Sequence, residues 1–301
     1  MCLALLACGK TENAQSKSAR TASAANERPI IVASNYPLFY FAGQIIGESV
    51  DGPQAEFPQI SGDPANWVPS AEQIQLMQTA DLLLLNGAGY ESWLAWVTLD
   101  RDHQVDTSAG FSEQLIDLDE SSTHQHGPEG EHAHQGVAFT TWLDPQLAIK
   151  QAAVVGEALT TLQPGLAVSF RANLSRLQSR LEDLDHDMAG TFTQLQDRAI
   201  LFSHPVYQYL QRRYKLNGRS LHWEPNTEPA TSEWISLQKT LDEHPANIIL
   251  WESEPLASTT ARLSEMGVRS IVFRTASNHS DQGDYFDIMA DNIKQLRTAI
   301  N

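Results

Sequence analysis

The feature that most constrains this chain is one apolar stripe. After Pro164-Gly165, the residues Phe170, Leu174, Leu177, Leu181, Leu184 and Met188 recur at steps of 4, 3, 4, 3 and 4. That is the repeat of a single face of an α-helix. A helix over roughly 29 residues extends about 43 Å at the usual rise per residue. A coiled coil would require a second stretch of the same kind, and none is present. The stripe is therefore expected to pack across two lobes.

The flanking sequence supplies those lobes. Short apolar runs alternate with helical stretches, the pattern of an α/β sheet. Before the long helix, strands are expected at Ile30–Ser34, 56–60 and Asp81–Asn86, with helices at Phe39–Ile46, 69–80 and Tyr90–Val97. Pro145 opens a further helix, where its missing N–H costs little. After the long helix, strands are expected at Ala199–Phe202, Arg219–His222, Ile248–Trp251 and Ser270–Phe273. Helices at Pro205–Tyr214, Ser232–Glu243, Pro255–Met266 and Asp284–Ile300 separate and follow them. Residues 121–136 interrupt the rhythm with glycines, a proline and four histidines, and read as a loop.

In an open α/β sheet, ligands sit outside the carboxyl ends of the strands. In the second lobe those ends deliver Ser203-His204, then His222-Trp223-Glu224, then Glu252-Ser253-Glu254, then Arg274. His222 and Glu224 are two residues apart, so in an extended backbone both point the same way. Imidazole nitrogen and carboxylate oxygen are ligands that zinc or manganese accepts where thiolates are absent. Polar residues also belong at strand ends simply because loops are exposed, so the group counts for more than any one member. The 121–136 loop adds His124, His126, His132 and His134, flexible imidazoles able to take up divalent metals weakly.

Composition narrows the classes. With 20 Lys+Arg against 37 Asp+Glu, the net charge is -17, which argues against a nucleic-acid partner and suits a cation. Cys2 and Cys8 are the only cysteines, which excludes a disulfide framework, a thiolate zinc cluster and an iron–sulfur site. There is no G-x-G-x-x-G, P-loop, G-x-S-x-G or H-E-x-x-H. The opening apolar run ending in Leu5-Leu6-Ala7-Cys8 resembles a truncated signal peptide with a lipobox. Residues 9–28 have the composition of a flexible tether. No stretch of 18 uninterrupted apolar residues follows.

Several motifs, in order from about residue 29 to the end, resemble the solute-binding proteins of bacterial zinc and manganese ABC importers, the periplasmic zinc-uptake component A family. They are Asn35-Tyr36-Pro37-Leu38, Asp63-Pro64-Ala65-Asn66-Trp67-Val68-Pro69-Ser70, Ala80-Asp81-Leu82-Leu83-Leu84-Leu85-Asn86-Gly87, the His-rich loop, Trp142-Leu143-Asp144-Pro145, Ser203-His204 and Gly283-Asp284-Tyr285. The resemblance implies capture of a metal ion between the lobes and delivery to a permease. Of the four metal ligands it implies, only His204 is matched. Ala65 and Thr140 stand where two histidines are expected, and Arg274-Thr275 where an aspartate is.

The expectation is thus an α/β protein with two lobes of mainly parallel sheet joined by one long backbone helix, a metal-receptor solute-binding fold. Residues 29–146 form the N-terminal lobe, 147–196 the linking helices and 197–301 the C-terminal lobe. Zinc, then manganese, is the expected ligand, at His204, His222, Glu224, Glu252 and Glu254. Asp63, Asn66, Trp67, Thr140, Trp142 and Arg274 line the cleft. An inner-membrane ABC permease is the partner, and the chain is a monomer held in the periplasm or at the cell surface by a lipid on Cys8. Three alternatives stay open: a receptor for a metal chelate or organic anion gripped by Arg274, a metal buffer that works through the His-rich loop and holds no solute tightly, and a metal-dependent hydrolase using Glu252 and Glu254.

Overall fold

A computed structural model describes residues 28–58, 60, 67–118, 123–125, 131–133, 136–279, 281 and 283–300. The first sheet is parallel, with strand order β2-β1-β3-β4, from β1 (Ile30–Ala33), β2 (Gln54–Glu56), β3 (Leu82–Leu85) and β4 (Gln104–Asp106). Its central strands are apolar throughout because both faces are covered. Ile31 and Leu84 face Phe41 of α1 (Tyr36–Ile46), while Val32 and Leu83 face Met77 of α2 (Ala71–Thr79) and Trp93. The Asn35 side chain accepts from Leu38 N at 3.0 Å and caps α1. With Pro37 in the first turn, this cap starts the helix at Tyr36, earlier than the apolar pattern alone suggested. Strand β2 lies slightly before the expected 56–60 segment. Strand β4 was not expected at all: at the sheet edge it is half solvated and carries no apolar run.

Two antiparallel helices, α3 (Pro145–Leu162) and α4 (Ala167–Phe192), lead to the second lobe. Asp144 caps α3 by accepting from Gln146 N at 3.0 Å. The second sheet is again parallel, in the order β10-β9-β11-β12, where β5 to β8 lie in the His-rich region described below. Its strands are β9 (Ala199–Phe202), β10 (Asn217–Ser220), β11 (Ile248–Trp251) and β12 (Arg269–Val272). Helices α5 (Gln208–Tyr214), α6 (Thr231–Glu243), α7 (Ala257–Glu265) and α8 (Tyr285–Ile300) complete it. Strand β10 begins two residues before the expected Arg219. Its ladder nevertheless runs on past Ser220, since Leu221 N and Trp223 N donate to Phe202 O at 2.7 Å and Ser203 O at 2.8 Å.

The stripe on α4 behaves as its spacing requires. Phe170, Leu177, Leu181, Leu184 and Met188 are buried in one core that reaches Phe41 and Leu84 in the first lobe and Phe202, Leu250 and Phe273 in the second. Each buried side chain of this size stabilises the fold by roughly 1.5–3 kcal/mol. The pair α3 and α4 approach closely at Gly156, where a Cβ would stand 2.8 Å from Leu174 Cδ2. Hydrogen bonds add to the apolar seam. The Thr140 hydroxyl donates to Val206 O at 2.6 Å, Tyr209 OH to Ala138 O at 2.7 Å and Trp142 Nε1 to Thr275 O at 2.7 Å. Tyr40 OH donates to Asp284 Oδ2 at 2.8 Å, tying α1 to the start of α8.

The His-rich segment corrects the loop reading. Backbone strands β6 (Thr123–Gln125) and β7 (Glu131–Ala133) pair antiparallel, with His124 opposite His132. At its base β5 (Asp117–Leu118) pairs with β8 (Gly136–Val137). An antiparallel ladder is closed by backbone groups, so it forms here without the apolar alternation by which strands are usually read. No described helix is long and apolar enough to cross a membrane.

Candidate metal centre

Strand order fixes where a site belongs in the second lobe. The chain runs from β9 to β10 on one side, then crosses to β11 on the other, so the loops leaving β9 and β11 diverge and open a crevice at the carboxyl ends. His204 follows β9 and Glu252 follows β11, on either side of that crevice. Glu224 arrives from the extension of β10. Trp223 is buried against Trp234 and Trp251, at ring separations of 4.7 and 6.3 Å. Its anchoring directs its neighbours His222 and Glu224 to the opposite side of the extended segment.

The result is a cluster in which His204, Glu224 and Glu252 each offer a ligand atom, all within 4.8 Å of one another. His204 Nδ1 lies 3.5 Å from Glu224 Oε1, with side-chain exposures of 13% and 39%. The His222 ring is 6.3 Å from that of His204, at 78° to it, beside the three-donor group. Beneath, Tyr207 is fully buried and donates to Phe273 O at 2.6 Å. Burial, reinforced by the charge of Glu252, pushes its hydroxyl well above the ordinary tyrosine range. One imidazole and two carboxylates form a donor set for zinc or manganese. Zinc bonds near 2.0–2.2 Å place neighbouring donors roughly 3.4 Å apart in a tetrahedron, so a bound ion would draw the three arms inward.

Other residues expected at the site are placed elsewhere. Glu254 is exposed and lies in a surface recess with Arg269, Asp291 and Lys294. It does not join Glu252, which removes the paired carboxylates on which the hydrolytic alternative rested. The Arg274 guanidinium bonds Asp291 at 2.9 Å, and its backbone N–H is held by Asn292 Oδ1 at 2.9 Å. Trp67 is core, packed edge-on against Trp93 at 5.8 Å, and not an open wall. Thr140 and Trp142 are buried and spend their polar atoms on the lobe-to-lobe bonds given above. His124 and His132 are placed by their backbone alone. Asp63, Asn66, His126, His134 and Cys8 lie outside the described residues.

The equivalent crevice of the first lobe, between β1 and β3, holds residues the sequence reading did not single out. Glu91 Oε1 accepts from the Ser34 hydroxyl at 2.5 Å and Asn86 N at 2.6 Å, and its Oε2 accepts from Gly87 N at 3.1 Å. Burial pushes the Glu91 carboxyl up to about 7, against the pull of those donors. Around it the Asn86 side chain joins Asn35, Thr141 and Gln151, and Gln151 also donates to Thr107 at 2.9 Å. Gly87 permits the turn, with φ +74° and no room for a Cβ beside Asp106 and Ser108. The sequence signal for this network was slight: polar residues directly abutting two all-apolar strands.

Comparison with known proteins places the chain. The family model for the periplasmic zinc-uptake complex component A matches residues 31–299. The high-affinity zinc uptake system protein ZnuA of Bacillus subtilis is 27% identical over 312 residues, covering 99% of this chain and 94% of that protein. The zinc-binding protein AdcA of Streptococcus pyogenes serotype M6 is 24% identical over 288 residues, and this chain spans only 55% of its length. Among solved structures, the metal-dependent lipoprotein YcdH of Bacillus subtilis superposes with a TM-score of 0.75 at 23% identity, covering 90% of this chain and 98% of that one. Zn(II)-bound AdcA of Streptococcus pneumoniae gives 0.74 at 20% identity, covering 90% of this chain and 57% of that one.

Proposed function

The chain belongs to the periplasmic zinc-uptake complex component A family, and from that premise we propose that it is the solute-binding component of an ABC importer, capturing a divalent metal ion and delivering it to a permease. Zinc is the preferred cargo and manganese the second, because one imidazole with two carboxylates suits both and zinc binds such donors more tightly. The observation that carries the reading is the convergence of His204, Glu224 and Glu252 from three adjacent strand ends. His222 stands next to them as a supporting imidazole. The site has moved wholly into the second lobe, which accounts for a chain that keeps His204 while Ala65, Thr140 and Arg274 occupy other positions where ligands are expected. Neither the anion nor the hydrolase reading fits as well: Arg274 is engaged by Asp291, and Glu254 points away from Glu252.

Outside the cytoplasm, such a receptor works next to the membrane. Cys8 is the residue we assign to a lipid anchor, a reading supported by the lipoprotein designation of AdcA in Streptococcus pneumoniae. The receptor acts as a monomer, with the His-rich hairpin as an auxiliary, weaker binder. Calorimetric titration of zinc tests the assignment, using the full chain, a version lacking 123–136 and His204→Ala. One tight site that survives removal of the hairpin and weakens about 100-fold in His204→Ala is the expected result. Weak, multiple binding that is lost with the hairpin would refute the site in the second lobe.

A further inference from the structure

Four side chains leave the carboxyl end of the second sheet on one face, and the backbone sets this independently of any contact between them. Phe202 and Leu250 point into the core shared by the two lobes, so His204 and Glu252, each two residues further on, leave toward that face. On the third arm the parity is fixed from the opposite side. Leu221 and Trp223 pack in the separate core around Trp234 and Trp251, which turns His222 and Glu224 toward His204 and Glu252. His204, Glu224 and Glu252 offer ligand atoms within 4.8 Å of one another. His222 is the member of the face outside that group, its ring 6.3 Å from the ring of His204.

That separation is close to what one shared ion requires. Two imidazoles bound to a zinc at about 2.0–2.1 Å in tetrahedral directions place their ring centres roughly 5.2 Å apart. About 1 Å of approach therefore brings His222 into range. Its arm extends from β10, the edge of the sheet, and is laddered to its neighbour through Leu221 N and Trp223 N, leaving the His222 side chain to swing. The described positions where the resemblance implies other ligands are engaged elsewhere: Thr140 donates to Val206 O at 2.6 Å and Arg274 to Asp291 at 2.9 Å.

The fourth donor decides which metal is held. With His222 the set is two imidazoles and two carboxylates, neutral around a divalent ion and complete for tetrahedral zinc. Without it, one imidazole and two carboxylates leave an open, oxygen-rich set that water can fill out to the octahedral shell manganese accepts. Resting on the metal-site reading above, we infer that His222 selects zinc over manganese by closing on the ion as its fourth ligand.

Zinc and manganese are titrated calorimetrically into the chain, His222→Ala and His222→Asp, each with and without residues 123–136 so that the contribution of the hairpin is subtracted. In His222→Ala, zinc should weaken about 100-fold while manganese changes less than about threefold. His222→Asp, which returns an oxygen donor, should bind manganese at least as well as the parent chain. Bound cobalt(II) gives a second readout, with intense tetrahedral visible bands in the parent and weak bands of higher coordination in His222→Ala. Equal losses for the two metals, or zinc affinity indifferent to His222, overturn the inference and leave the three-donor site standing. So does a parent cobalt spectrum that is already weak and six-coordinate, a result that needs no variant. A chain without the hairpin that holds neither zinc nor cobalt is a separate failure, which removes the metal-site reading together with this inference.

Discussion

The two lobes are built on the same strand order and turn back at the same place, yet they use the resulting crevice in opposite ways. In the first lobe it is plugged: Ser34, Asn35, Asn86 and Gln151 are buried, with Glu91 at their centre, and the donors are spent internally. In the second it stays open, and His204, Glu224 and Glu252 retain contact with solvent. Topology supplies the location in both. Depth decides the use, since a satisfied buried network rigidifies a lobe, whereas accessible ligands can receive an ion.

The comparison breaks first at Glu91. Glu91→Ala, measured at pH 5 by urea unfolding, should cost about 3 kcal/mol because buried backbone donors at Asn86 and Gly87 lose their acceptor. Zinc affinity should be unchanged; a loss of affinity would mean that the lobes are not separate in function. Acidity probes the same group without truncating it. The unfolded carboxyl ionises near 4.5 and the folded one near 7, so between those values the folded state holds the extra proton. The stability owed to Glu91 is complete below pH 4.5 and declines by roughly 3 kcal/mol as pH rises through 7. Unfolding curves across that range should lose this slope in Glu91→Gln.

Second-lobe changes should show the reverse pattern. His204→Ala is expected to weaken zinc binding by about 100-fold, or about 2.7 kcal/mol, with a much smaller change in unfolding free energy. Equal losses in both measurements would make His204 structural and not a ligand. The smallest effects belong to Arg274→Ala and Glu254→Gln. Zinc affinity should stay the same in each, and loss of the partly exposed Arg274–Asp291 pair should cost less than about 1 kcal/mol. A marked fall in affinity for either would return that residue to the site.

The sequence disclosed the frame better than the details. Ile31 and Leu84 sit in fully apolar central strands, and the α4 stripe repeats without a break, so burial wrote itself into residue type. Strand β4 and the His124/His132 hairpin left no such mark, because exposed ladders depend on backbone groups common to every residue. At the centre, polar residues following apolar runs identified the strand ends. Which of them converge was not legible: Glu252 and Glu254 are two apart, but the turn after β11 keeps one in the crevice and sends the other to the recess beside α8. The plug of the first lobe was hidden for another reason. Ser34, the neighbouring pair Asn86 and Glu91, and Gln151 come from three distant parts of the chain, and no periodicity links them.

The donors stand just beyond their strands, where the ladders have already closed: Ser203 N reaches Leu250 O, and Trp223 N reaches Ser203 O. A substitution at His204, Glu224 or Glu252 therefore changes ligand chemistry without reopening the packing of the sheet. On the proposed site, a binding set can shift from one loop to the next without disturbing the ladders that hold the scaffold. A lineage with this architecture can change its cargo by a few point mutations and keep its fold throughout.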